Sequence, residues 1–143
     1  MIPVVVDASV AAKWFVEDVL SRQANAALAQ CIFFAPGLIQ AETANTLWKY
    51  ARRGDLQAAD CREALWRLPH VVKLTPDSEL AADAAVLSVE LDHPAYDCFY
   101  IALARRLGHP ILTADQRLAR KVDDMIDVRS TPLATIPLED ETS

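Results

Sequence analysis

Residues 2–7 read Ile2-Pro3-Val4-Val5-Val6-Asp7, a β-branched apolar run that stops on a carboxylate. A continuous run of this kind, unlike an alternating one, marks a strand covered on both faces, and such strands belong to parallel sheets with helices on either side. The fold class implied is α/β. Residues 9–15 and 21–30 read as short helices, the second with Ala24, Ala27 and Leu28 turned inward. Residues 31–35 form the next strand, stopped by Pro36 and Gly37. A long helix over 38–53 ends at Gly54, suited to the left-handed position after a helix, with a polar edge at Glu42, Asn45, Lys49 and Arg52 beside an apolar stripe of Ala41, Ala44, Trp48 and Ala51.

Further along, residues 56–68 read as a helix and 70–74 as a third strand. Thr75 with Pro76 behind it has the pattern of an N-cap with proline in the first turn, opening a helix that runs to Leu91. His93 and Pro94 interrupt. A helix over 95–107 ends at Gly108, residues 111–113 make the fourth strand, 115–121 a last short helix and 128–130 an edge strand. The expected architecture is a three-layer α/β/α fold with a central parallel sheet of four or five strands, one domain over 1–135, followed by a polar acidic tail at 136–143.

The chain has 143 residues, 52% of them hydrophobic, with a mean hydropathy of +0.12, yet no stretch nears the roughly 20 apolar residues that span a bilayer. No membrane partner is expected. Nor is there a basic, then apolar, then small-residue leader, and Cys31, Cys61 and Cys98 are odd in number and widely spaced, which suits reduced thiols in a cytoplasmic protein better than a disulfide framework or a zinc site. The net charge of −6 repels phosphates as a whole-molecule field. Distribution qualifies the sum: Lys49, Arg52 and Arg53, then Arg105 and Arg106, then Arg117, Arg120 and Lys121 form clusters that either hold a phosphate backbone or complement helix C-termini.

Four acids stand beside the most apolar segments. Asp7 and Asp115 end strands, at the edge where open parallel sheets bind ligands; Glu42 opens the apolar long helix; Asp97 is the only charge between Pro94 and Ala104. Each has an ordinary explanation, as a helix N-cap for Asp7 and Asp115 or a first-turn acid for Glu42 and Asp97. Together they need another. Two unit charges about 4 Å apart repel by roughly 4 kcal/mol at an effective dielectric near 20, and a divalent cation turns that repulsion into coordination.

Other chemistries find less support. With three glycines the chain has no phosphate-binding glycine loop or dinucleotide fingerprint. Ser9 has no evident histidine partner, and His70, His93 and His109 sit near turns, where capping or surface roles are expected. A haloacid-dehalogenase-like phosphatase would want an Asp where Ser9 stands. A receiver-like signalling module, the main non-catalytic alternative, would want a lysine after a late strand, and the strand ending at Thr113 is followed by Ala114 and Asp115.

Val4-Val5-Val6-Asp7-Ala8-Ser9, Glu42 with Asn45, Tyr96-Asp97 followed by Tyr100-Ile101-Ala102-Leu103-Ala104, and Leu112-Thr113-Ala114-Asp115 resemble, in order and spacing, the four landmarks of PIN-domain ribonucleases, in their VapC-type toxin form. The resemblance runs from residue 2 to about residue 130. It implies that Asp7, Glu42, Asp97 and Asp115 hold one or two Mg²⁺ or Mn²⁺ ions, with Ser9, Asn45 and Thr113 in supporting hydrogen-bond roles. The implied activity is endonucleolytic cleavage of structured RNA by metal-activated water. A homodimer and a cognate antitoxin, a small DNA-binding protein whose tail blocks the acidic cleft, are implied as well. Some relatives carry a further acid two positions after the fourth, where this chain has Arg117, so a second ion is expected either to bind weakly or to arrive with substrate. A degenerate PIN scaffold that only binds its partner is the remaining alternative. Trp14, Phe15, Val19 and Leu20 crowd one early segment and are read either as core or as a groove for the antitoxin peptide.

Overall fold

A computed structural model describes residues 1–138 of the chain. Five strands, β1 (Ile2–Val6), β2 (Cys31–Pro36), β3 (Val72–Thr75), β4 (Ile111–Thr113) and β5 (Ser130–Pro132), form one parallel sheet in the order β3-β2-β1-β4-β5. The helices are α1 (Ala8–Ala11), α2 (Ser21–Gln30), α3 (Leu38–Arg52), α4 (Ala58–Val71), α5 (Ala81–Leu91), α6 (Ala95–Leu107) and α7 (Gln116–Asp123). Because β1, β2 and β3 advance one way across the sheet and the chain then crosses back to β4, right-handed crossovers put α1–α4 on one face and α5–α7 on the other. Val4, Val5 and Val6 are accordingly all buried, although successive side chains point to opposite faces.

The centre of the core is α6. Cys98, Tyr100, Ile101, Leu103 and Ala104 are buried against the sheet and α5, and burying a side chain the size of Ile101 or Leu103 contributes about 1.5–3 kcal/mol. Gly108 closes this helix at φ +71°, a conformation in which any Cβ is strained, so Pro110 can lead straight into β4.

Several local expectations give way to tertiary context. The helix expected from Thr75 starts later: Thr75 stays in β3, paired with Pro36, and its carbonyl accepts from the Gly37 N–H at 2.9 Å, so a 3₁₀ turn at Asp77–Glu79 precedes α5. Sheet pairing outweighs the local capping signal. α4 runs on through Pro69 to Val71, since a proline in the last turn forfeits only one helical bond, and β3 begins at Val72 rather than at residue 70. The edge strand lies two residues beyond the expected 128–130, with Pro132 on the outer edge, where no N–H is needed. The early helix is a single α-turn followed by a 3₁₀ turn at Ala12–Trp14.

The apolar stripe expected on α3 is wrong. Its buried face is Ile39, Thr43, Leu47 and Tyr50, while Ala41, Ala44 and Trp48 are exposed, Trp48 to 51%. Likewise Leu28 is 39% exposed, and Ala24 and Ala27 alone of the expected trio face inward. Of the expected tail at 136–143, Ile136 packs against the core and Leu138 is buried; residues 139–143 lie outside the described residues.

Candidate active site

β1 and β4 are the neighbours at which the strand order reverses, with Val6 opposite Leu112, so the residues just past their ends meet where α/β sheets open a crevice. Asp7 leaves β1 in extended conformation and becomes the N-cap of α1, the capping role anticipated for it. Its Oδ1 accepts from Ser9 Oγ at 2.5 Å and from the Val10 N–H at 3.4 Å, and its Oδ2 accepts from Thr113 Oγ1 at 2.6 Å. Each hydroxyl has one proton, and both protons are committed to Asp7, because Ser9 Oγ in turn accepts from the Ala114 N–H (3.0 Å) and Thr113 Oγ1 from the Asp115 N–H (2.9 Å). These bonds stitch the end of β1 to the end of β4. Asp7 is 6% exposed, and burial pushes its carboxyl up to about pH 6 against the pull of Ser9, Thr113 and Val10, with the Asp115 charge raising it further.

Asp115 caps α7: Oδ1 accepts from the N–H groups of Arg117 (2.9 Å) and Leu118 (3.4 Å). Glu42 sits one turn into α3, whose start is fixed from a distant loop by Asp77, which accepts from the Leu38 N–H at 3.0 Å. Tyr100 donates its phenol to Glu42 Oε1 at 2.6 Å. Burial raises the Glu42 carboxyl, Tyr100 lowers it, and the charges of Asp97 and Asp77 raise it again. The Tyr100 phenol is pushed up beyond any accessible pH, first by burial and then by Glu42. Asp97 lies in the first turn of α6, and its Oδ2 is 2.7 Å from His93 Nε2.

All four carboxylates line one cleft of about 670 Å³, shared with Ser9, Asn45, Tyr96 and Tyr100. The only other charges in its wall are Lys13 and Lys49, and neither makes an ion pair among the described residues. Glu42 Oε2, Asp97 Oδ1 and Asp115 Oδ2 carry no protein hydrogen bond among those residues. The acids share the cleft without being drawn into a cage, for among the described residues no group of three or more Asp, Glu, His or Cys is close enough to hold an ion unaided. An oxygen-only donor set on four separate elements, with both oxygens of Asp7 and one oxygen of each of the other three held by hydrogen bonds, is what a hard, partly hydrated cation takes.

Six of the seven residues singled out from the sequence line the cleft, and the seventh, Thr113, is buried directly behind Asp7. Sequence reasoning missed Tyr100 as a partner of Glu42, Asp77 as the distant cap of α3, Lys13 in the wall, and His93. The capping or surface role expected for His93 does not hold: its side chain is 7% exposed and bonded to Asp97. The four-residue spacing from His93 to Asp97 was the available signal.

A parallel α/β sheet with an acidic cleft at its switch point is the plan of a PIN domain, and the family model of that name matches residues 4–124. The chain belongs to the PIN-domain family, in its VapC branch. It is 36% identical over 126 residues to ribonuclease VapC3 of Pyrobaculum aerophilum, covering 85% of this chain and 96% of that protein. It is 35% identical over 118 residues to ribonuclease VapC9 of Mycobacterium tuberculosis, covering 81% of this chain and 88% of that one. Among solved structures, PAE2754 of Pyrobaculum aerophilum superposes with a TM-score of 0.71 at 22% identity, over 94% of this chain and 92% of that one. Mycobacterium tuberculosis VapC20 superposes with a TM-score of 0.68 at 20% identity, over 88% and 98%. At those identities the superpositions speak for the fold alone.

Proposed function

We propose that this protein is an endoribonuclease that hydrolyses RNA phosphodiesters with a water activated by Mg²⁺ or Mn²⁺, and that it is the toxin of a type II toxin–antitoxin pair. The observation that carries the proposal is the convergence of Asp7, Glu42, Asp97 and Asp115 from four elements on one cleft. Asp7 and Glu42 are held there against the cost of burial with neutral donors only. The donor set fits a hard divalent cation, and these four side chains would hold it. Such an ion supplies an activated water and positive charge opposite the phosphate. Ser9 and Thr113 fix the orientation of Asp7, and Tyr100 that of Glu42. No covalent enzyme intermediate is required.

RNA as substrate draws support from the names of the two curated relatives, both ribonucleases, and from the wall of the cleft. Lys13 and Lys49 can take the phosphates on either side of the cut, and Tyr96, 64% exposed in that wall, offers a ring on which an unpaired base can stack. Outside the cleft Arg52 lies 5.0 Å over the ring of Trp48 and extends the same surface. Of the four residues read as core or groove, Trp14 and Leu20 pack against the core and Val19 is exposed; the antitoxin would use the groove that Trp14 and Phe15 line with Leu56, Asp60 and Arg67, and the toxin would act as a cytoplasmic homodimer. Among the described residues no helix is long and apolar enough to cross a membrane.

The test is to incubate purified, antitoxin-free protein with cellular RNA in Mg²⁺, in Mn²⁺ and in EDTA, and to map the cuts. Discrete internal cuts that vanish in EDTA are expected. RNA left intact under all three conditions, by protein that melts cooperatively, would leave only a binding module.

A further inference from the structure

We propose that His93 is a positioning residue for Asp97: its Nε2–H holds Oδ2 and thereby presents Oδ1 to the cleft for a divalent cation. The inference rests on the ion reading of the cleft given above and adds a residue to it. Three observations carry it. The Nε2 to Oδ2 separation is 2.7 Å, and the imidazole is the more enclosed partner, 7% exposed against 23% for Asp97. The backbone that carries the ring is fixed, because the His93 main-chain N–H bonds to the Ser88 carbonyl at 3.1 Å across the end of α5, where Asp92 adopts φ +49°, and Pro94 follows at the start of α6. Finally, the arrangement repeats what two of the other three acids show. Tyr100 holds one oxygen of Glu42, and the α7 amides hold one oxygen of Asp115, each leaving the second oxygen without a protein partner among the described residues.

The role asks only for an N–H at Nε2, which the imidazolium and the Nε2-protonated tautomer of the neutral ring both have, so it depends on the tautomer and not on the charge of the ring. An outer donor of this kind fixes the rotamer of a ligand before the ion arrives, and losing one typically weakens metal binding about 10- to 100-fold. Neither of the other histidines serves an acid of the cleft: His109 packs against the Phe34 ring, with 5.4 Å between centroids, and His70 lines a separate surface groove beside Trp66 and Pro69.

The test compares His93→Phe, which fills the space without a donor, with His93→Gln, whose amide restores one. Mn²⁺ binding to metal-free protein is measured by titration calorimetry, thermal melting in EDTA, and RNA cleavage as separate kcat and KM. The expected result is Mn²⁺ affinity about tenfold weaker and kcat lower in His93→Phe, KM unchanged, with His93→Gln within about threefold of wild type. A purely structural role would lower the melting temperature of both variants and leave Mn²⁺ affinity alone, which would overturn the proposal. Should His93→Phe fail to fold, ¹⁵N spectra of the wild-type ring decide: a ring protonated at Nδ1 alone, in EDTA and in Mg²⁺, overturns it, and a hydrogen-bonded Nε2–H supports it. Asp97→Asn separates the two levels. If that variant binds Mn²⁺ like wild type, the ion reading itself fails; if it loses binding while His93→Phe does not, the His93 role alone fails.

Discussion

Two tyrosines of this molecule each donate a phenol to a carboxylate, with opposite electrostatic outcomes. Tyr50, which also lines the cleft, bonds to Asp18 Oδ2 outside it, and that carboxyl is lowered by the phenol, by the Val19 N–H, and by the nearby charges of Lys13 and Arg53. Tyr100 bonds to Glu42 Oε1 in the cleft, and that carboxyl is raised, because burial outweighs the phenol and the charges of the acids Asp97 and Asp77 add to it. The hydrogen bond is the same, so the difference lies in what surrounds it. At the surface a carboxylate is compensated by cations of the chain. In the cleft it is ion-paired with none among the described residues, and Asp7 repeats the pattern more strongly, with hydroxyls and an amide as its partners. A fold that keeps buried acids in this state leaves room for positive charge from outside.

The largest break in that contrast comes from Asp7→Asn. RNA cleavage should fall by a hundredfold or more, roughly the cost of removing a group that stabilises transition-state charge, as measured by initial rates in Mn²⁺. Stability of the metal-free protein should move the other way. Asp7 titrates near 6 when folded and near the ordinary aspartate value of 3.8 when unfolded, so between those values the folded chain holds a proton that the unfolded chain has released. Its contribution to folding is therefore lost as pH rises through 6, by up to about 3 kcal/mol. In EDTA the wild type should melt lower at pH 8 than at pH 4 on this account, and Asp7→Asn should melt several degrees above wild type at pH 8 with little difference at pH 4. A variant that melts lower than wild type at pH 8 would mean that the Asp7 charge is compensated internally after all.

Next in size is the tyrosine pair itself. Tyr100→Phe removes the donor that orients Glu42, and Mn²⁺ affinity should weaken about tenfold with a comparable loss of kcat. Tyr50→Phe removes the same bond away from the cleft acids. It should leave Mn²⁺ affinity within about twofold and cost only the modest stability of one hydrogen bond, on the order of 1 kcal/mol. Equal effects of the two substitutions on Mn²⁺ binding, read by titration calorimetry, would erase the distinction.

How much of this could be read from residue order divides along the same line. Val4-Val5-Val6-Asp7 and Ile111-Leu112-Thr113-Ala114-Asp115 announced two buried strands ending on acids, because the continuous apolar period and the terminal carboxylate are both local signals. The adjacency of β1 and β4, which makes Asp7 and Asp115 neighbours, is written in neither segment and comes from the strand order of the folded sheet. Glu42 and Asp97 could be placed on helices, but the donor of Glu42 could not be read. Tyr100 meets Glu42 across 58 positions, and Asp77 meets Leu38 across 39, with nothing local to mark either pair. Thr75 and the outer stripe of α3 misled for the opposite reason: a clear local pattern was overruled, once by pairing of β3 with β2 and once by the choice of which α3 face meets the core.

The smallest expected effect concerns the two lysines of the cleft wall. Lys49→Ala removes a charge with no ion pair among the described residues, while Arg105→Ala, on α6, removes one already bonded to Asp127 at 2.7 Å. If the acidic cleft takes RNA by pairing each phosphate with a lysine at its rim, Lys49→Ala should raise KM about three- to fivefold with kcat unchanged. It should also flatten the dependence of log(1/KM) on log[salt] by roughly 0.7, the share of one contact to a single strand. Arg105→Ala should do neither, since its charge is spent within the fold and lies outside the cleft. A chain of net charge −6 could instead bind RNA through the ion alone. In that case both substitutions would leave the salt slope untouched, and the lysines would serve only to soften repulsion among the four acids.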